Sequence, residues 1–249
     1  MHRATDYIHK LFKINNYDDP IYFSLEESAV GHLGGELYLD SLDYYYSALL
    51  SVGDALNGIA RGRYSWSIVM LYYSTFYCAR AILGLNSYGL VAVESKEYLI
   101  EVRDGQKLQK AHGHTTHDRV LKAFVEKFKN SMLLTEVNGD CSFWWMKNRR
   151  NEANYKNSRF IEPEVPEYFY HITKYGIETV ILQYFLEHCN NNKYELTFQP
   201  EHAALAFPLL LLKRCRDAIY RNRKGLEVSE EHLDLCKQNC SMLLFEYFL

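Results

Sequence analysis

SWSIVMLYYSTFYCARAILGLN, residues Ser65–Asn86, is apolar around almost its whole circumference when it is wound as an α-helix. A helix that is hydrophobic on all sides is normally buried in the centre of a protein. The preceding "RGRY" predicts a short break, and the following "SYG" predicts the end of the helix. The sequence therefore predicts one central helix on which the rest of the chain packs.

Helical periodicity continues on both sides of this segment and predicts an all-α fold class. Asp40 or Ser41 is a candidate cap for a helix that runs to about Ala60, and Thr115 or Thr116 is a candidate cap for the helix in "TTHDRVLKAFVEKFKN". Residues 87–113 are expected to hold one short helix and a loop. Further helices are predicted at 141–155, 167–189, 201–222 and 229–248.

The polar stretch "NNNKYELTFQP" is the clearest boundary in the chain, and its "YELTF" is expected to be briefly extended. Three regions are predicted from this boundary and the helix pattern. Residues 1–40 form an N-terminal extension, residues 41–190 form a helical bundle, and residues 191–249 form a C-terminal helical hairpin packed on the bundle.

The composition, with 48% hydrophobic and 24% charged residues, is ordinary for a soluble globular protein. The sequence lacks a Gly-rich phosphate loop, strand–helix alternation and a G-x-S-x-G motif, which argues against Rossmann, P-loop and serine-hydrolase classes. Its six cysteines include no C-x-x-C pair, and no signal-peptide pattern opens the chain. We expect a cytoplasmic protein with reduced thiols and no membrane span, since the longest apolar run, Leu205–Leu212, is short.

Two groups of residues are candidate metal ligands. His112, His114 and His117 lie close together in "HGHTTH", and the set His232, Cys236 and Cys240 falls on one face of a predicted helix. Neither spacing matches a known metal motif, and cysteines on a helix face are more often small buried hydrophobic residues. The sequence therefore predicts no metal and no other cofactor.

Basic residues are concentrated in two places, although the formal net charge is -3. Residues 147–159 contain five Lys or Arg and one acid, and residues 213–224 contain six Lys or Arg and one acid. Either cluster alone is typical of a solvated helix face, but local positive charge also attracts a phosphate backbone. In the first cluster the candidate nucleic-acid-binding residues are Lys147, Arg149, Lys156 and Arg159.

The first cluster also contains a candidate catalytic set, Arg150, Asn151 and Tyr155. An arginine offers a planar, permanently charged fork to phosphate oxygens, an asparagine adds a donor, and a tyrosine can stack on a base. Together they could stabilise the pentacoordinate phosphorus that forms when an RNA 2′-OH attacks its neighbouring phosphate, without a metal. The alternative is a helix end whose cations are favoured by the helix dipole.

Three segments of the chain resemble the HEPN superfamily, the higher-eukaryote-and-prokaryote nucleotide-binding domains. The "GRY" turn and the helix after it resemble the family's second helix, "THDRVLKAFVEKF" is similar to a later helix, and "RNEANY" is similar to the family's "R-x-x-A-D-Y" element, with Asn154 in place of Asp. The matching positions of the first two segments are Tyr72, Tyr73, Phe76, Ala79, Arg80, Ala81 and Leu83, and then His117, Val120, Phe124 and Phe128.

This resemblance implies an antiparallel up-and-down helical bundle that forms a homodimer. It also implies a toxin or phage-defence role, often beside a nucleotidyltransferase partner. Many HEPN proteins are metal-independent ribonucleases with an R-x4–6-H motif, but here Tyr155 stands where that histidine is expected. A phenol keeps its proton at neutral pH and is a poor general base, so a base would have to come from elsewhere, with His117 as one candidate.

Three functions are consistent with these features. The first is a metal-independent RNA-cleaving effector that uses Arg150. The second is a non-catalytic module that binds RNA, a nucleotide or a protein partner through the same basic face, where Tyr155 could itself be modified. The third is a helical scaffold subunit without chemistry. The sequence favours an RNA-directed role, and ribonuclease activity by a narrow margin.

Overall fold

The computed structural model describes residues 2–15, 19–129, 134–156, 158–184 and 197–222, with the single positions 231, 234, 235 and 238. Within these residues the chain is predominantly helical, which confirms the helical character of the predicted fold class. The antiparallel HEPN-like bundle and the three predicted regions stay predictions. The eight α-helices are α1 Arg3–Ile14, α2 Glu27–Ala60, α3 Tyr64–Leu85, α4 Thr116–Phe128, α5 Ser142–Asn151, α6 Tyr170–Tyr175, α7 Ile177–Tyr184 and α8 Pro200–Arg221.

Six short strands form two small sheets, so the described chain is not purely helical. The first sheet has the order β1-β2-β3 and is antiparallel. The second has the order β5-β4-β6, with β4 antiparallel to β5 and parallel to β6. The strands are β1 Tyr88–Val93, β2 Lys96–Glu101, β3 Gln109–Lys110, β4 Glu136–Val137, β5 Asp140–Cys141 and β6 Thr197–Phe198.

The chain divides into two compact units. The first comprises the described residues within Met1–Tyr44 and Ala79–Lys127, and the second comprises those within Tyr45–Cys78 and from Phe128 onward. Helices α2 and α3 each contribute residues to both units.

The first unit has a core made by one face of α1, the start of α2 and the β1–β2 hairpin. Helix α1 begins under a distant cap, because Asp40 of α2 accepts hydrogen bonds from the backbone N–H groups of Arg3 (3.0 Å) and Ala4 (3.1 Å). The buried apolar side chains of this core are Ala4, Ile8, Phe12, Phe23, Leu25, Ala29, Leu33, Leu37, Val91, Val93, Ile100 and Leu108.

Two expectations are wrong in this unit. Asp40 and Ser41 lie inside α2, which begins at Glu27, rather than capping a helix of their own. Residues 88–101 form a β-hairpin instead of a short helix, with a two-residue turn in which Glu94 (φ 48°) and Ser95 (φ 64°) both have positive φ. Positive φ at both central residues is the geometry that two-residue hairpin loops require. The predicted cap of α4 is confirmed at Thr115, whose Oγ1 accepts from the Asp118 N–H.

The second unit packs α5 and α8 around buried aromatic rings. Phe143 of α5 meets Phe207 of α8 edge to face, with ring centroids 4.9 Å apart. Helix α8 is buried on all sides from Ala203 to Leu212, and it contains Pro208. The helix predicted at 167–189 is broken instead, because Gly176 has φ 84° between α6 and α7. The described end of the predicted extended stretch, Thr197–Phe198, forms β6, and the rest of that stretch lies outside the described residues. The helix predicted at 229–248 falls outside the described residues except for four single positions.

The central helix α3 confirms the prediction for Ser65–Asn86 within one residue at each end. By length and composition it is apolar enough to cross a membrane, but 67% of its most apolar window is buried inside the chain. This burial is the pattern of a core helix in a soluble protein.

Candidate nucleic-acid site at the end of helix α5

Helix α5 continues into a π-helical turn, Glu152–Lys156, directly after the arginine pair. This confirms the predicted helix at 141–155. An α-helix would place Arg150 and Tyr155 on different sides, since five residues turn the chain by about 140° beyond a full circle. The wider π-turn, with its i→i+5 pattern, brings the two side chains together. The Arg150 guanidinium carbon lies 5.3 Å from the Tyr155 ring centroid.

Arg150 is surrounded by three tyrosine rings. Besides Tyr155, its guanidinium carbon lies 5.5 Å from the ring centroid of Tyr72 and 6.0 Å from that of Tyr73, both on α3. Tyr72 is fully buried, whereas Tyr155 is 70% exposed. The guanidinium is therefore held between the core and the surface by cation–π contacts.

The hydrogen-bond donors of Arg150 are mostly unused. Its Nη1 donates to the Asn151 Oδ1 at 3.0 Å, and its buried Nε has no hydrogen-bond partner. Within the part of the chain that the structure describes, no carboxylate lies within ion-pair distance of Arg150. The buried Nε is closed to a ligand, so an external anion would meet the terminal Nη groups. A guanidinium without a described carboxylate partner is suited to such an anion.

Asn151 supports this arrangement from the adjacent position. Because its Oδ1 accepts from Arg150, its side-chain NH2 group remains as a donor beside the guanidinium. The structure thus brings the three predicted catalytic residues, Arg150, Asn151 and Tyr155, into one place.

The four predicted nucleic-acid-binding residues differ in how far their positive charges are already paired within the chain. Glu152 pairs with both Arg149 (2.9 Å) and Lys156 (3.2 Å), so one carboxylate partly neutralises these two cations. Lys147 lies over the Trp144 ring, 5.5 Å from its centroid. Arg159 is exposed and has no ion pair among the described residues.

The second basic cluster, 213–224, is largely satisfied within its own helix. Lys213 Nζ and Arg216 Nη2 both contact the Asp217 carboxylate, at 3.1 Å and 3.2 Å, and Arg221 Nε donates to the Asp217 backbone oxygen. Residues 223 and 224 lie outside the described residues. This pattern favours a solvated helix face over a nucleic-acid contact.

No histidine is among the described contacts of Arg150, which are with Asn151 and three tyrosines. The next histidine along the chain, His171, lies instead against His202, with ring centroids 4.1 Å apart, and against Tyr175. His117 belongs to the first compact unit, whereas Arg150 belongs to the second.

One of the two candidate metal sets lies within the described residues. Among the residues that the structure describes, no group of three or more His, Cys, Asp or Glu side chains could hold a metal ion. The set His232, Cys236 and Cys240 falls outside the described residues.

Sequence reasoning missed the two α3 tyrosines as contacts of Arg150. Tyr72 and Tyr73 stand in an apolar helix, where aromatic residues ordinarily indicate packing, and nothing in their spacing points to α5. The π-turn likewise has no sequence signal that we recognise.

Comparisons with known proteins add no assignment. No protein-family model matches the chain, and neither the curated proteins nor the solved structures give a significant match. The resemblance to HEPN proteins therefore rests on the sequence motifs alone.

Proposed function

We propose that this protein is an RNA-directed effector of the HEPN type, and that it cleaves RNA without a metal in a cytoplasmic toxin or phage-defence role. The observation that supports this most directly is Arg150. It is held against three tyrosine rings and lacks a carboxylate partner among the described residues. In the proposed active form two copies of the chain assemble as a homodimer.

In the proposed reaction the RNA 2′-oxygen attacks the adjacent phosphorus. A new O–P bond forms, the bond from phosphorus to the 5′-oxygen breaks, and the 5′-oxygen leaves with a proton from water. The products are a 2′,3′-cyclic phosphate and a 5′-hydroxyl. Arg150 donates to the phosphoryl oxygens as their negative charge increases, and the Asn151 amide adds a donor. The Tyr155 ring stacks on a neighbouring base.

The 2′-OH proton passes to hydroxide in this scheme, because no imidazole is among the described contacts of Arg150. The protein then contributes positioning and charge stabilisation rather than general-base catalysis. This division of roles predicts a slow ribonuclease whose rate depends on hydroxide concentration.

The test compares an RNA with a DNA of the same sequence, both at equal concentration with EDTA present. We expect cleavage of the RNA only, with 2′,3′-cyclic phosphate ends identified by mass spectrometry. Cleavage of the DNA, or 3′-hydroxyl ends, would rule out attack by the 2′-oxygen.

The second candidate function is a non-catalytic binding module that pairs with a nucleotidyltransferase or another defence-system protein. It is favoured by Tyr155, which is 70% exposed and takes the position expected for a catalytic histidine. Its hydroxyl would be accessible to a modifying partner. RNA binding that depends on Arg150, with no cleavage of any RNA, would support this function over the first.

A further inference from the structure

We propose that Trp66 and Phe160 form a base-stacking platform for single-stranded nucleic acid, separate from the contacts of Arg150. The choice of nucleic acid as the ligand rests on the proposed RNA-directed function. The two rings meet edge to face with centroids 5.8 Å apart, and they are 50% and 48% exposed. Large aromatic rings that are half exposed are the groups on which unpaired bases stack.

The platform is anchored by a carboxylate that caps helix α3. Glu162 Oε1 accepts from the Ser65 N–H at 2.7 Å, and its Oε2 accepts from the Ser65 hydroxyl at 2.8 Å. The Ile161 N–H donates to the same hydroxyl oxygen. These bonds join the segment that carries Phe160 to the first turn of α3, which carries Trp66. The backbone that carries both rings is therefore already ordered in the free protein. Less conformational entropy is lost when a ligand binds.

Three arginines lie close to the platform residues along the chain. Arg61 and Arg63 stand on either side of Gly62 (φ 67°) in the tight turn between α2 and α3, and Arg159 directly precedes Phe160. All three are exposed, and none has an ion pair among the described residues.

A cleft of about 420 Å³ lies beside Trp66, and Arg61 and Arg63 line it together with one acid, Asp54. Its size is within the range of clefts that bind small ligands.

Exposed rings next to arginines fit a single strand of nucleic acid better than a duplex or a hydrophobic protein partner. Stacking gives affinity for any base, and the arginines meet the phosphates between the bases. A duplex cannot use the rings, because its bases already stack on one another. A hydrophobic protein partner would leave three arginines without counter-charges.

The test measures binding of a fluorescein-labelled ten-nucleotide 2′-O-methyl oligouridine, which lacks the attacking hydroxyl and cannot be cleaved by the proposed reaction. A DNA strand of the same length and a ten-base-pair duplex are the comparison ligands. We expect both single strands to bind more tightly than the duplex. We expect Trp66→Ala to weaken single-strand binding about tenfold, equal to about 1.4 kcal/mol, and Trp66→Phe to restore most of it. Phe160→Ala gives an independent second variant.

The control is Tyr22→Ala, which removes a more exposed ring (71%) from the first unit and should leave binding unchanged. The arginines are tested by salt dependence. Each of Arg61→Gln and Arg63→Gln should reduce the slope of log affinity against log salt by about 0.7.

Three results would each overturn the platform. They are tighter binding of the duplex than of the single strands, no binding by the wild type, and wild-type affinity in folded Trp66→Ala and Phe160→Ala. The outcome is independent of cleavage. Probe binding through Trp66 with no RNA cleavage would contradict the proposed ribonuclease and keep the platform. RNA cleavage by the wild type, with probe binding unchanged in Trp66→Ala and Phe160→Ala, would support the ribonuclease and contradict the platform.

Discussion

The Arg150 guanidinium lies over the Tyr155 ring at 5.3 Å because a π-turn follows α5 at that point. A histidine at position 155 would stand beside the same guanidinium. In the proposed reaction, Tyr155 therefore separates charge stabilisation by the arginine from proton removal by an imidazole, two contributions that an R-x4–6-H site would combine.

Tyr155→His should increase the rate of RNA cleavage at pH 7 at least about tenfold, since a positioned general base contributes more than this in many enzymes. The pH profile should also change. The wild-type rate should rise throughout pH 6 to 8.5, as expected for hydroxide, whereas the variant should level off above about pH 6.5, where an imidazole loses its proton.

Tyr155→Phe is the control for this substitution, because it keeps a ring over Arg150 and removes only the hydroxyl. It should retain the wild-type pH profile. A wild-type profile that already levels off near pH 6.5 would show that the chain supplies an imidazole, and our assignment of the proton to hydroxide would be wrong.

Glu162→Ala should lower the free energy of unfolding by about 1–2 kcal/mol, because it removes the cap from α3 and leaves the Ser65 N–H without its acceptor. Urea denaturation measures this loss. Glu164→Ala removes an exposed carboxylate two residues away and should change stability by less than about 0.5 kcal/mol. Equal effects of the two substitutions would argue against the cap.

Asp40→Ala should be more damaging, at about 2–4 kcal/mol, because the buried carboxylate accepts from two N–H groups at the start of α1. The comparison is Asp43→Ala. Asp43 forms an exposed ion pair with the same residue, Arg3, and its removal should cost about 1 kcal/mol or less. Thermal unfolding of both variants ranks the two contacts, and a larger loss in Asp43→Ala would contradict the distant cap.

Tyr168→Phe should reduce the loss of folding stability that the wild type shows at alkaline pH. Burial raises the pKa of Tyr168 to about 12, an effect that Arg149 partly opposes. The folded state therefore favours the neutral phenol, and this stabilisation is complete below pH 10 and is lost as the pH rises through 12. Relative to the wild type, Tyr168→Phe should gain about 2 kcal/mol of stability between pH 8 and pH 11.5. A constant difference across that range would show that Tyr168 titrates normally.

The sequence was most informative where one local pattern dominated. The continuous apolar surface of α3 predicts its position within one residue at each end, and Thr115 is found as a cap by its place before an apolar helix. Spacing alone predicts that Arg150 and Tyr155 lie near each other, whereas the π-turn that brings them together has no signal in the sequence.

The failures arise where structure depends on distant partners. Strand β1, YGLVAV, is apolar on both faces, so its alternating burial is invisible in the sequence, and its turn has Glu94 and Ser95 rather than Gly or Asn. Asp40 resembles the cap of its own helix, but it caps a helix 36 residues earlier. Tyr72 and Tyr73 join the candidate site only through the packing of α3 against the end of α5.

The most direct test of the central claim is the rate of RNA cleavage by the wild type and by Arg150→Ala, with EDTA present and with thermal unfolding as the check on folding. We expect the wild type to cleave and Arg150→Ala to lose at least about a hundredfold in rate, as when one transition-state donor is removed. Arg149→Ala, whose guanidinium is already paired with Glu152, should lose less than about tenfold. Cleavage by folded Arg150→Ala at the wild-type rate, or wild-type activity that EDTA abolishes, would contradict the account.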